Sequence, residues 1–344
     1  MNQTSVQHLL AAPSMTKTLA VALSFLTFAA PTALAASFSD VPSTNPYYPA
    51  IESMKNLGVV KGYTDGTFKP DQPVNRAEAL KMVLVAGGQK VTPGLYMTGF
   101  PDVKLSDWFS GYVFTGQNLQ IVKGNPDGTF APARQVNKAE FLKMSEESFQ
   151  TDLTSYKTVQ GTLAHDVTNV SDWFVPYLNY AKSMGIIYPT LDNNLEPGNF
   201  LTRAQCAEIL YKMFIIKNGG STQELLSIAE AKLVDAVVQI NNNNLADALT
   251  RAQEAVFYTG KALQQEPNSS VTQGANLIAQ GFQNLFEAYA AGATGTQNNP
   301  AQLKTLAEEA KSDADQAVAK DSSLQTIAQQ LKTLADNLMQ KAGV

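Results

Sequence analysis

The feature that most constrains this 344-residue chain is a seventeen-residue segment that occurs three times. It begins at Gly62 as GYTDGTFKPDQPVNRAE and returns at Gly124 as GNPDGTFAPARQVNKAE. A more divergent copy begins at Pro189 as PTLDNNLEPGNFLTRAQ. Self-similarity of this kind is the signature of a repeat architecture, so the chain is predicted to contain three copies of one structural unit.

Each copy ends in the sequence pattern of a helix start. Asn75, Asn137 and Thr202 are favourable N-cap residues, and a Glu or Gln follows each of them three positions later. This is the capping-box pattern, in which the cap side chain and the third helical residue satisfy each other's backbone N–H groups. The three partners are Glu78, Glu140 and Gln205.

Apolar residues spaced three and four apart predict one helix before each copy and one after it. Every repeat is therefore expected to be a helix, a structured loop and a helix. Gly58 and Gly185 suit the left-handed residue that ends the first helix. Repeat two has Gln120 there and is expected to end its helix differently.

Residues 1–35 read as a secretion signal. Lys17 precedes an apolar run from Leu19 to Ala30, and Ala33-Leu34-Ala35 is a small-residue cleavage pattern. An uncleaved membrane anchor is the alternative, which Pro31 and the short apolar run disfavour. The sequence thus predicts a secreted protein.

Composition excludes several classes of function. A net charge of -5 gives no general basic field, so nucleic acid is not an expected partner. One cysteine, Cys206, cannot form an intramolecular disulfide, and it supplies too few ligands for a Cys/His zinc site. His165 lies at a repeat boundary. No catalytic residue, metal site or cofactor is predicted.

The repeats open with related motifs, FSDV at Phe38, FPDV at Phe100 and AHDV at Ala164, and Trp108 and Trp173 occupy matching positions in repeats two and three. Together with GYTDGTFKP, GNPDGTFAP and the endings NRAE, NKAE and TRAQ, this pattern resembles the S-layer homology domain over about residues 36–217. The resemblance implies three repeats packed as a pseudo-threefold unit. It also implies binding of pyruvylated secondary cell-wall polysaccharide in the grooves between them.

The resemblance further implies which positions touch the ligand. They are the signature cations, the early aspartates, the tryptophans and the loop glycines: Arg76, Lys138 and Arg203; Asp40, Asp102 and Asp166; Trp108 and Trp173; Gly62 and Gly124.

The residues themselves support part of this assignment. An Arg in a first helical turn opposes the helix dipole, which favours a functional role, and we expect it to act with unpaired N–H groups of that turn. The tryptophans either stack on a sugar or fill the repeat interface. The aspartates either cap the first helix or orient the Arg. Repeat one lacks the Trp and repeat three lacks both glycines, so two grooves are expected to bind well.

The remaining chain has a different character. After a flexible joint at residues 218–221, Ala- and Leu-rich sequence with helical spacing predicts five helices in residues 222–344. Short polar breaks favour an antiparallel all-helical bundle, with tetratricopeptide-like hairpins as the alternative. The repeats themselves are expected at residues 36–90, 98–152 and 162–217.

The sequence therefore predicts a mainly α protein, a pseudo-threefold helix-loop-helix unit followed by a bundle. Its predicted function is non-covalent anchoring to acidic cell-wall glycan, secondary polysaccharide or glycan linked to peptidoglycan. A tethered wall hydrolase and a self-assembling S-layer subunit are the alternatives. Residues 222–344 are expected to bind a protein partner or another copy of the chain.

Overall fold

The computed structural model of the chain describes residues 36–91, 97–293 and 299–344. The predicted secretion signal, residues 1–35, lies outside these ranges. The described chain divides into two compact units, one within Ala35–Gly219 and one within Gly220–Val344. Within the described ranges, we find no helix whose length and hydropathy would let it span a bilayer.

The first unit contains two helices per repeat, as predicted. Their bounds are α1 Tyr48–Asn56, α2 Arg76–Ala86, α3 Ser110–Asn118, α4 Lys138–Phe149, α5 Val175–Ser183 and α6 Arg203–Asn218, with a short 3₁₀ helix at Thr154–Tyr156. The capping box forms at the start of α2, α4 and α6, with both of its hydrogen bonds present in each. The local sequence alone thus determines where the second helix of every repeat begins.

The three repeats close into a ring. The second helices α2, α4 and α6 pack against one another around a common axis. The first helix of each repeat packs on the second helix of the repeat before it, α3 on α2 and α5 on α4, and α1 completes the cycle on α6. The predicted pseudo-threefold arrangement is confirmed.

A ring of backbone hydrogen bonds marks the pseudo-axis. Val74 N–H donates to the Leu201 carbonyl at 3.1 Å, Val136 donates to Val74 at 3.0 Å, and Leu201 donates to Val136 at 3.3 Å. All three side chains are buried. Each repeat donates a hydrogen bond to one neighbour and accepts one from the other. Separation of any repeat from the ring would therefore leave backbone N–H and C=O groups without their hydrogen-bond partners.

The first helices of all three repeats end in the same way, and the expectation for repeat two is wrong. Gln120 has φ of 61°, beside 72° for Gly58 and 70° for Gly185. Its N–H donates to the Gln117 carbonyl at 3.0 Å, as Gly58 N–H does to Lys55. The turn geometry therefore prevails over the small steric preference for glycine at a left-handed position.

The second unit is an antiparallel helical bundle. Its helices are α7 Thr222–Asn241, α8 Leu245–Gln265, α9 Ser270–Ala293, α10 Pro300–Lys320 and α11 Gln325–Ala342, with a 3₁₀ turn at Ser322–Leu324. Helices adjacent in the chain pack on each other, and α9 also contacts α7 and α11. The prediction of five helices separated by polar breaks is confirmed for the described residues.

Buried charges join α7 to α8 in this bundle. Lys232 Nζ lies 2.8 Å from Glu254 Oε2, and Arg251 Nε lies 2.9 Å from Asp235 Oδ2. Lys232 and Glu254 are at most 5% exposed in their side chains. Pairing compensates the cost of burying these charges, so they fix how the two helices face each other.

Candidate functional site

The signature cation of each repeat reaches across to a neighbouring loop. Arg203 of repeat three donates from Nε to the Phe68 carbonyl at 2.8 Å and from a terminal nitrogen to the Lys61 carbonyl at 2.9 Å. Its guanidinium lies over the Phe68 ring at 4.6 Å. Arg203 is only 7% exposed, so it clamps repeat three to the loop of repeat one.

The other two cations also lie against a neighbouring loop, although Arg76 Nε has no hydrogen-bond partner in the described structure. Arg76 lies over the Phe130 ring at 5.1 Å and 3.8 Å from Glu140 Oε1, against the loop of repeat two. Lys138 donates to the Leu195 carbonyl at 2.8 Å, against the loop of repeat three. The three cations therefore lie around the pseudo-axis at equivalent inter-repeat positions. Burial lowers the pKa of Arg76 and of Lys138, with Glu140 and Glu196 respectively opposing the shift.

The N–H groups of the first turns are not unpaired, which corrects the sequence-based expectation. Arg76 N–H donates to the Arg134 carbonyl at 2.8 Å and Ala77 N–H to the Pro132 carbonyl at 3.1 Å. The same cyclic pairing occupies the first turns of α4 and α6. These helix starts are joints between repeats, so their N–H groups are not available to an anion.

The early aspartates hold the loops. Asp40 accepts from the backbone N–H groups of Phe68 and Lys69, both at 2.7 Å. Lys69 has φ of 58°, an unfavourable conformation for a residue with a side chain. Asp102 and Asp166 make the same pair of contacts in their own repeats. Asp40 and Asp166 thereby position the loop carbonyls that accept from Arg203 and Lys138. None of the three aspartates caps a first helix.

The loop glycines allow close approach of an aromatic ring. A Cβ at Gly62 would lie 2.4 Å from the Phe38 ring, and one at Gly124 would lie 2.4 Å from the Phe100 ring. Gly124 also has φ of 79°. Both glycines therefore have a packing role, and they also line the crevices described next.

The two tryptophans lie on the surface. Trp108 is 56% exposed and Trp173 is 54% exposed, and each meets a tyrosine edge-on, Tyr112 at 6.3 Å and Tyr177 at 6.5 Å. An indole that filled the repeat interface would be buried. These rings instead present open apolar surface next to polar side chains.

Two equivalent crevices combine these residues. The crevice that we call crevice A has a volume of about 230 Å³, and crevice B has a volume of about 240 Å³. Each takes its loop and second helix from one repeat, its Trp from the next and its Arg from the remaining one. Crevice A is lined by residues that include Lys61, Gly62, Glu78, Lys81, Trp108 and Arg203; crevice B by the corresponding Lys123, Gly124, Glu140, Lys143, Trp173 and Arg76.

Lys81 and Lys143 line the crevices but were not predicted from the sequence. They occupy the same place on α2 and α4, five residues after the signature cation, and this recurrence was the available signal. Burial and then the charges of Lys61 and Arg203 lower the pKa of Lys81. Burial likewise lowers the pKa of Lys143. The lining of each crevice thus contains three cations and one carboxylate, that of the capping box.

The corresponding position in repeat three has a different chemistry. Glu208 stands where crevices A and B have Lys81 and Lys143, and Tyr188-Pro189 replaces the Lys-Gly pair of the loop. Lys212 Nζ lies 3.8 Å from Glu208 Oε1 and over the Tyr188 ring at 4.8 Å. The cation at this position is paired and buried, and Pro46 of repeat one stands where the others have Trp.

Metal ligation has no candidate in the part of the chain that the structure describes. No group of three or more His, Cys, Asp or Glu side chains there is arranged to hold an ion. Cys206 is buried within α6, and burial raises the pKa of its thiol.

Comparison with known proteins identifies the repeated unit. Residues 37–80, 99–142 and 165–207 each match the family described as S-layer homology domain. These three matches coincide with the helix-loop-helix repeats of the first unit.

Curated relatives include surface proteins and an enzyme. The chain is 36% identical to a protein named surface layer protein of Brevibacillus choshinensis over 27% of its own length and 9% of that protein. It is 29% identical to one named exoglucanase XynX of Acetivibrio thermocellus, over 47% of the chain and 15% of the relative. It is 25% identical to a protein named surface-layer 125 kDa protein of Lysinibacillus sphaericus, over 70% of the chain and 19% of the relative. The chain spans less than one fifth of the length of each.

Proposed function

Because this chain carries three tandem domains of the S-layer homology family, we propose that its first unit anchors it to the cell wall by binding an acidic glycan in crevices A and B. S-layer homology domains bind cell-wall polymers, and the chain is a secreted protein of the cell envelope. The proposal adds the chemistry of the ligand and the location of the binding sites.

One observation carries the proposal: the same set of side chains recurs in two crevices. A cluster of three cations against one carboxylate attracts an anion, and an exposed indole at the same site offers a platform for the apolar face of a sugar. A carboxylate-bearing sugar satisfies both requirements at once. A pyruvate ketal is the carboxylate that the family resemblance implies, and we propose it as the charged group.

Two sites on one rigid unit would bind a polymer more strongly than either site alone. Once the first crevice holds a glycan repeat, the second meets a high local concentration of the same polymer, which can raise avidity by ~10² to 10⁴. The paired Glu208 and Lys212 make the third position a poor anion site, so we propose a valence of two.

The test is co-sedimentation of the full chain with purified cell walls. We expect Trp108→Ala combined with Trp173→Ala to leave most of the protein in the supernatant. Phe200→Ala is the matched control, because Phe200 is a similarly exposed aromatic, at 55%, outside both crevices. Sedimentation of the double variant equal to that of wild type would refute the crevices as glycan sites.

Tryptophan variants are preferable to variants of the signature cations. Arg76 and Arg203 hold neighbouring repeats together, so loss of wall binding after their removal would have two explanations. The exposed indoles can be truncated without opening the ring of repeats.

We propose that the second unit acts in protein association and that the chain performs no reaction. The relatives named as surface-layer proteins favour self-association over a tethered enzyme. Sedimentation velocity of the full chain across a concentration series tests this, with a shift toward larger species expected. A zymogram on cell-wall substrate that showed clearing would support the enzyme instead.

A further inference from the structure

Crevices A and B differ at one position next to their central lysine. The residue on α4 beside crevice B is Glu147, and its counterpart on α2 beside crevice A is Val85. Glu147 Oε1 lies 4.0 Å from Lys143 Nζ and accepts a hydrogen bond of 2.6 Å from the Tyr177 hydroxyl. In crevice B, one carboxylate thus engages both the ammonium and the phenol.

Crevice A leaves the equivalent donors open. Val85 has no polar side-chain atom, and neither Lys81 Nζ nor the Tyr112 hydroxyl has a hydrogen bond or ion pair within residues 36–91, 97–293 and 299–344. Lys81 Nζ lies 5.7 Å from the centroid of the Trp108 ring, on which a sugar would stack. The two donors are therefore available to a ligand without breaking a hydrogen bond or an ion pair.

The arginines of the two crevices also differ in whether a carboxylate compensates their positive charge. Arg203 in crevice A donates to two carbonyls, which leave its positive charge uncompensated. Arg76 in crevice B faces Glu140 at 3.8 Å, although Arg134 also pairs with that carboxylate at 2.7 Å. The main difference in charge between the crevices is therefore Glu147, because Arg134 offsets Glu140 and no cation beyond Lys143 pairs with Glu147 among the described residues.

We propose that crevice A is selective for a charged sugar, that crevice B also accepts a neutral one, and that Glu147 sets this difference. The inference rests on the proposed function of the two crevices. A carboxylate ligand entering crevice B must compete with Glu147 for Lys143 and is repelled by it, whereas a neutral sugar meets neither cost and still stacks on Trp173. In crevice A the anion gains Lys81 and Tyr112 directly, so loss of its charge costs more affinity there.

A reciprocal exchange tests the proposal. Each crevice is measured alone by calorimetry on the full chain, crevice A in a Trp173→Ala background and crevice B in a Trp108→Ala background. The probes are a short wall glycan carrying one pyruvate ketal and the same glycan after acid removal of the ketal. Val85 is half-buried and Glu147 is exposed, so both substitutions should be tolerated by the fold.

Val85→Glu should weaken binding of the ketal probe in crevice A by about two- to five-fold, and Glu147→Val should strengthen it in crevice B by a similar factor, as expected for one half-exposed ion pair. Binding of the neutral probe should change little in both. Val85→Leu and Glu147→Gln are the controls, the first without effect and the second close to Glu147→Val, because it removes the charge and keeps a partner for Tyr177.

The outcomes separate the two levels of inference. If neither crevice of the unsubstituted chain binds either probe, the proposed function fails. If both bind the ketal probe with equal preference over the neutral one, or if the exchange leaves the preferences in place, the function stands and the role of Glu147 is refuted.

Discussion

Removal of the Arg203 side chain should destabilise the first unit strongly, even though no ligand is involved. Arg203→Ala leaves the carbonyls of Phe68 and Lys61 without their charged donor and uncovers the Phe68 ring. Hydrogen bonds from charged groups contribute ~1.5–3 kcal/mol each. A cation over an aromatic ring adds ~0.5–2 kcal/mol. Allowing for relaxation of the loop, we expect a loss of about 3–5 kcal/mol in the free energy of unfolding.

Tryptophan fluorescence during urea unfolding of the full chain measures this loss. Trp108 and Trp173 are the only tryptophans of the protein, and both lie in the first unit, so the signal is blind to the helical bundle. Lys61→Ala is the control, because Lys61 is an exposed cation of the same crevice whose side chain has no partner in the described residues. A change below about 1 kcal/mol for Arg203→Ala would show that the clamp does not hold the repeats together.

Two further predictions concern the core of the first unit. Asp102→Ala should lower the free energy of unfolding of the first unit by about 2–4 kcal/mol, because the N–H groups of Phe130 and Ala131 lose a charged acceptor while Ala131 keeps its left-handed conformation. The same tryptophan fluorescence assay measures this loss. Glu146 is buried and neither carboxyl oxygen has a hydrogen-bond partner in the described structure, and burial raises its pKa to about 10. In the folded state Glu146 keeps its proton up to about pH 10, whereas in the unfolded chain it loses the proton near pH 4.5. The contribution of Glu146 to the free energy of unfolding is therefore greatest below pH 4.5. It falls by at most about 1.4 kcal/mol per pH unit until about pH 10. Glu146→Leu, which copies Leu84 of repeat one, should flatten this dependence between pH 5 and 9, and an unchanged slope would contradict the assignment.

Local features were predictable from the sequence because they depend on neighbours in the chain. The capping boxes at Asn75, Asn137 and Thr202 form as their spacing predicts. The helical periodicity likewise gives both helices of each repeat and the five helices of the second unit.

Contacts between repeats were not predictable from local sequence. Nothing next to Arg76 indicates that its N–H donates to Arg134 of the following repeat, so the sequence left those groups open for a ligand. The crevice lysines were not predictable for the same reason. Lys81 lines crevice A only because the fold places Arg203 and Trp108, from two other repeats, next to it. Gln120 shows the converse error, where a residue preference was outweighed by a turn that the packing requires.

The number of glycan sites per chain is the measurement that tests the account most directly. Calorimetric titration of the full chain with a short acidic wall glycan should give two sites, and Lys81→Ala together with Trp108→Ala should leave one. Three equal sites would contradict the claim that the Glu208–Lys212 pair makes the third inter-repeat position a poor anion site. Absence of any saturable binding, or two sites that persist after both substitutions, would contradict the claim that crevices A and B hold the protein to the wall.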